Sequence, residues 1–416
     1  MTDQTCPAGF GRRSFVKATA LASGALALPA GITAAGATPA GATTGRPRAV
    51  IPFHGRHQAG ITTPAQGHAC FAAFAVTVPD RAQLADLLRE LTARIRFLTA
   101  GGTPPADAPG SAPGDSGTLG PVIPADNLTV TVGVGATLFD SRYGLAGVQP
   151  TRLVQMPAFR GDRLRTGELH GDLSLQLCAD SEDVVSHALR DLTRRTRGRL
   201  QPLWRTDGHL HPARPDGAQR NVMGFKDGIV NPDPTSAREL DRLVWVQPGG
   251  GEPAWAEGGS YQVLRTIRVL CEAWEDVPLD RQERVIGRRR DSGAPLDGTT
   301  ETDLPDYTKD PDGAVTPLDA HIRLANPRTP ETDASRLLRR GYTYDRGLDG
   351  SGRMDTGLAF CSYQQDLRRQ FEAVQRRLEG EPLGDFLVCT GGGYFFALPG
   401  VADENDWLGR AMLASA

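Results

Sequence analysis

Residues 71 to 99 read FAAFAVTVPDRAQLADLLRELTARIRFLT, and this stretch decides the fold class. Phe71 to Val78 (FAAFAVTV), apolar but for Thr77, reads as a strand. From Arg81 the pattern changes. Leu84, Leu87, Leu88, Leu91, Ile95 and Leu98 recur at three- and four-residue steps, so Arg81 to Thr99 is expected to be an amphipathic helix. Downstream, LTVTVGV (Leu128 to Val134) alternates as a strand, DLSLQLC (Asp172 to Cys178) is another, and Ser181 to Arg195 is helical. Thr103 to Asp126, rich in Pro, Gly and Asp, is a long loop. The order strand, helix, strand, strand, helix implies an α+β fold of ferredoxin-like type with an antiparallel sheet.

The second half repeats the plan without repeating the sequence. Tyr261 to Leu270 is a strand, Leu279 to Gly287 starts a helix, Gly357 to Tyr363 is a strand and Gln365 to Leu378 a helix. Pro382 to Cys389 then leads to a terminal strand at Tyr394 to Leu398. Two similar halves, joined near residues 205 to 222, are expected at about 46–210 and 211–416.

The first 45 residues read as an address. Arg12-Arg13 precedes an apolar, alanine-rich run from Ala18 to Ile32, and small residues follow up to Ala42. This is the layout of a twin-arginine export signal. The run is shorter than the roughly 20 residues that a membrane-spanning helix needs, and no later stretch is long and apolar enough. Export through the twin-arginine translocase would place the protein in the periplasm, outside the cell or at the cell envelope.

Composition narrows the partners. Across 416 residues, 46 basic and 49 acidic side chains leave a net charge of −3, which excludes a polybasic nucleic-acid binder. Six scattered cysteines form no CxxC pair and no disulfide framework. No HExxH, Walker A, GxSxG or dinucleotide fingerprint is present. His54 and His57 suit hydrogen-bonding or turn roles, and His209 and His211 sit in a Pro/Gly-rich segment read as a solvated loop.

One constellation remains. NVMGFKDGIVNP (Asn221 to Pro232) presents Asp227, which taken alone reads as a turn aspartate. DAHIRLANPR (Asp319 to Arg328) carries His321, the only histidine of the second half, and RLLRRGYTYD carries Arg339. An imidazole, an acid and an arginine are what a haem peroxidase requires: an iron ligand, a proton relay for peroxide, and a cation for the departing oxygen.

At these residues the chain resembles the dye-decolorizing peroxidase family, in which GFKDG matches a signature of a glycine, two variable residues and Asp-Gly. IPFHGRHQAGI (Ile51 to Ile61), DSGTLG (Asp115 to Gly120), MPAFRGDRL (Met156 to Leu164), GDLSLQLCAD (Gly171 to Asp180) and EPLGDFLVCTGGGYFFALPG (Glu381 to Gly400) are similar to further family blocks. The likeness covers about residues 50 to 400 and is nearest the exported, iron-transport-associated deferrochelatase/peroxidase branch.

The resemblance implies two ferredoxin-like halves with one haem b (iron protoporphyrin IX) per chain in the C-terminal half. It makes His321 the axial iron ligand, Asp227 the distal acid/base and Arg339, rather than the adjacent Arg340, the distal arginine. Leu358 and Phe360 would cover the distal haem face, as well as being core strand residues. Asn231 and Arg323 would line the pocket or meet the haem propionates. A carboxylate hydrogen-bonded to His321 is expected but not assignable. The expected reactants are hydrogen peroxide and small-molecule electron donors such as dyes or phenols. An alternative is a haem- or iron-acquisition component beside an iron permease. Trp204, Trp245, Trp255, Trp274 and Trp407 are candidate electron relays, none preferred. A homo-oligomer is compatible with the sequence.

Overall fold

The computed structural model describes residues 49–416, so the export signal read in the first 45 residues, with Cys6, lies outside the described residues. Nine strands are present among the described residues: β1 His68–Val76, β2 Thr129–Gly135, β3 Leu173–Ala179, β4 Leu200–His209, β5 Ser260–Val269, β6 Leu338–Arg339, β7 Tyr342–Leu348, β8 Met354–Gln364 and β9 Leu387–Ala397. The N-terminal half pairs in the order β2-β3-β1-β4, with helices α1 (Arg81–Ala100) and α2 (Glu182–Arg195) as crossovers. The C-terminal half repeats this order as β9-β5-β8-β7. Each is an antiparallel βαββαβ unit, the ferredoxin-like arrangement.

The two sheets meet at both edges. Gly133, Val134 and Gly135 of β2 pair with Ala397, Phe396 and Phe395 of β9, and His209 of β4 pairs with Thr343 of β7. Eight strands therefore close into a ring, and β6 continues the β7 edge along β8. Closure leaves few open edges.

The apolar run at residues 71 to 78 is explained by this closure. Cys70, Ala72, Phe74 and Val76 face α1 and α2, where Leu84, Leu87, Leu88, Leu91, Ile95 and Leu98 pack. Ala69, Phe71 and Ala73 face the ring interior with Tyr342, Tyr344, Tyr363 and Phe395. A strand covered on both faces shows no alternation.

Three sequence expectations need correction. β4 runs through the segment read as an inter-half loop, so His209 ends a strand. Only Leu200, Trp204, Thr206 and Gly208 of β4 are buried, and Pro202 sits where the pairing with β1 shifts register, between Ala73 and Phe74. One covered face and a proline at a bulge hide such a strand. β9 begins at Leu387 and passes through all three glycines, because a Cβ on Gly392 (φ +125°) would lie 2.0 Å from the Leu264 carbonyl oxygen. The helix expected over Gln365 to Leu378 starts at Arg368 with a π-turn and turns α-helical only at Ala373–Arg377.

Among the described residues Cys70, Cys178, Cys361 and Cys389 are buried free thiols, and Cys271 is a half-buried one. No described helix is long and apolar enough to cross a membrane.

Candidate functional site

The C-terminal sheet forms one wall of a cavity of about 360 Å³. In the β5–β8 ladder Arg265 stands opposite Phe360 and Ile267 opposite Leu358, so these four side chains share a face, and all four line the cavity. The short helix His321–Ala325 lies in the long insertion between β5 and β6 and also borders the cavity. Its approach depends on Gly287, the left-handed cap of the helix Leu279–Ile286, because a Cβ there would sit 2.6 Å from Ile322 Cγ1.

His321 begins its helix and faces the cavity. Its Nδ1 hydrogen-bonds Glu381 Oε2 at 2.8 Å, and Glu381 is itself buried. Holding the Nδ1 proton against a carboxylate leaves the Nε2 lone pair for a metal. Burial pulls the ring's pKa down, but the Glu381 carboxylate outweighs it and raises the ring above the ordinary histidine value. Glu381 is the carboxylate that sequence could not assign, although it begins a quoted block.

Asp227 and Arg339 line the same cavity. Arg339 Nη1 donates to Asp227 Oδ1 at 2.7 Å, and the Gly228 N–H donates to the same oxygen at 2.6 Å. Burial pushes the Asp227 carboxyl up, but the Arg339 guanidinium, the Gly228 N–H and the His321 ring together hold it below the usual aspartate value. Arg340 points elsewhere, to Gln66 Oε1 and the Thr63 carbonyl.

Two expected pocket residues are placed differently. Asn231 does not line the cavity; its amide is bonded to the backbone of Arg339 at 2.8 and 3.0 Å. Arg323 is also absent from the lining. Two positions along a helix turn a side chain about 200° away, and its guanidinium is engaged by Asp310 and the Thr316 carbonyl. Arg328 borders the cavity instead. Its backbone is left-handed (φ +61°), and its buried Nε has no hydrogen-bond partner. Lys226 and Arg288 add further cations to the lining.

An apolar wall, a carboxylate-backed imidazole and several cations fit a flat, apolar, dianionic iron porphyrin. The orphaned Arg328 Nε supports this, because a buried unpaired donor calls for an acceptor. Leu358 and Phe360 lie on the cavity wall. Trp204, Trp245, Trp255 and Trp274 are buried in the core, and Trp407 is half-buried. His57 Nδ1 bonds the Gly258 carbonyl at 2.6 Å, a structural role. Among the described residues no group of three or more His, Cys, Asp or Glu side chains is arranged to hold a bare metal ion.

Comparison with known proteins points the same way. Residues 58–210 match the family model "Dyp-type peroxidase, N-terminal" and residues 218–402 match "Dyp-type peroxidase, C-terminal". A deferrochelatase of Yersinia pseudotuberculosis is 49% identical over 366 residues, 87% of this chain and 84% of that protein. One from Escherichia coli is 48% identical over 367 residues, 87% of each chain. Among solved structures, ferric DtpA from Streptomyces lividans has a TM-score of 0.79 at 35% identity, over 88% of this chain and 98% of that one. A DyP-type peroxidase from Cellulomonas bogoriensis has a TM-score of 0.78 at 34% identity, over 88% and 99%.

Proposed function

The chain belongs to the Dyp-type peroxidase family and is a haem peroxidase, and from that premise we propose that His321, Asp227 and Arg339 are its working residues. One haem b per chain would sit against Leu358 and Phe360, with His321 Nε2 on the iron and Glu381 fixing the ring. Arg328, whose buried Nε is unpaired, would meet a propionate. Bound haem supplies the iron at which peroxide is reduced and to which two one-electron donors return electrons.

The protein's own part is proton handling and charge placement. Asp227, whose carboxyl is held below the usual aspartate value, would take a proton from one oxygen of hydrogen peroxide and return it to the other as the O–O bond breaks. The Arg339 guanidinium stabilises negative charge on that leaving oxygen. Leu358 and Phe360 keep the reaction space apolar. The observation that carries this reading is the 2.7 Å Arg339–Asp227 pair on the same cavity as a carboxylate-backed histidine.

A second reading, iron release from haem in an acquisition system beside an iron permease, is favoured by the relatives named deferrochelatase at 48–49% identity. Residues 11 to 42 favour export through the twin-arginine translocase, with the mature chain divided near residue 210. Incubating the haem-loaded protein with peroxide and a phenolic donor, or with donor alone, separates the readings. Peroxide-dependent turnover with intact porphyrin iron supports the peroxidase. Accumulation of metal-free protoporphyrin without turnover supports iron release.

A further inference from the structure

Asp227 is reached through a tight hairpin. Asp227 N–H donates to the Gln219 carbonyl at 2.8 Å, Asn221 N–H donates to the Phe225 carbonyl at 2.9 Å, and Arg220 and Lys226 form a bridge. One carboxylate grips both arms of this hairpin. Glu301 accepts the Ala218 N–H at 3.0 Å on one arm and the Lys226 ammonium at 2.6 Å on the other. The Lys226 side chain is only 5% exposed, and its other acidic neighbour, Asp216, is 3.9 Å away and 89% exposed.

Glu301 is itself held firmly. Arg288 Nη1 donates to the Glu301 carbonyl at 3.0 Å and to the Gly293 carbonyl at 2.6 Å. Two glycines make room for the grip. A Cβ at Gly217 would lie 2.3 Å from the Glu301 carboxylate, and one at Gly293 would lie 2.8 Å from Lys226 Cδ. The pair therefore sits in a fitted socket, unlike a solvated surface ion pair.

We infer that Glu301, acting through Lys226, is a positioning residue for Asp227. The inference rests on the reading of Asp227 as the acid/base. A relay that moves a proton between two peroxide oxygens depends on where its carboxylate stands, and a displacement of about 1 Å costs up to about 100-fold in rate. The Arg339 pair restrains the Asp227 side chain; the Glu301–Lys226 pair restrains the backbone that carries it.

The test is the bimolecular rate of haem-loaded protein with hydrogen peroxide, followed by stopped-flow absorbance, for Glu301→Gln, Lys226→Met, Lys226→Arg and Asp227→Asn. Glu301→Gln and Lys226→Met are expected to lose about 10- to 100-fold, with haem content and the KM for the reducing donor unchanged. Lys226→Arg restores most of the rate, because it keeps the ion pair. A wild-type rate in Glu301→Gln overturns the inference, as does a slow Lys226→Arg. If Glu301→Gln does not fold, the contrast between Lys226→Met and Lys226→Arg still decides. If Asp227→Asn reacts at the wild-type rate, the underlying reading of Asp227 fails instead.

Discussion

Asn231 clasps the backbone of Arg339 as a neighbouring strand would: its amide oxygen accepts the Arg339 N–H at 3.0 Å and its amide nitrogen donates to the Arg339 carbonyl at 2.8 Å. Arg339 lies in the two-residue strand β6, which among the described residues pairs only with β8. Asn231 supplies a second anchor from the loop that carries Asp227, so the loop bearing the acid is tied to the strand bearing the arginine.

Asn231→Ala removes both bonds, at a net cost of about 1 kcal/mol each. Thermal unfolding should show that loss. The peroxide reaction should slow while haem content stays at the wild-type level. Loss of haem would mean that Asn231 touches the cofactor after all.

The Asp227–Arg339 pair sets an acid limb. The Asp227 pKa is depressed in the folded protein, so its base form persists as pH falls to the ordinary aspartate value of 3.8 and is lost only below it. The ion pair's contribution to stability follows the same course, complete above the unfolded value and lost as pH falls through the folded one. In Arg339→Leu the upward push of burial is no longer offset by the guanidinium. A pH–rate profile of that variant should show the acid limb displaced to higher pH.

His321→Ala should abolish or severely weaken the Soret band of the purified protein. Glu381→Gln keeps the ligand but removes the carboxylate that makes the ring a stronger donor, so the ferric/ferrous midpoint potential should rise and haem affinity fall by about 10- to 100-fold. Spectroelectrochemistry reads the first and haem transfer to apomyoglobin the second. An unchanged potential in Glu381→Gln would remove Glu381 from the account.

Gly392→Ala should prevent correct folding, because the new methyl would meet the Leu264 carbonyl in the β5–β9 ladder. Gly147→Ala, where nothing lies within 4 Å of the added carbon, is the control. Soluble yield and unfolding temperature of the two variants make the comparison.

The parts of the molecule that sequence revealed are those in which local pattern and tertiary environment agree. α1 shows its leucine stripe because one face packs on the sheet, and β1 shows an unbroken apolar run because both faces are covered. β4 was hidden because one of its faces is solvent-exposed and carries Arg205 and Asp207. At the site, Asp227, His321 and Arg339 stand out because a motif surrounds each. Their supports do not: Glu381 lies 60 residues from the ring that it holds, and Asn231 acts on a backbone rather than on the cavity. Exchanging Arg323 for Arg328 as the cavity cation needed the phase of a five-residue helix and a left-handed backbone, neither of which leaves a trace in composition.

The most direct measurement is the bimolecular rate of peroxide reduction by haem-loaded Asp227→Asn against the wild-type protein. An acid/base residue in this role contributes about 10²- to 10⁴-fold. The account predicts a loss of that size with an unchanged Soret absorbance. A wild-type rate in the variant would contradict it.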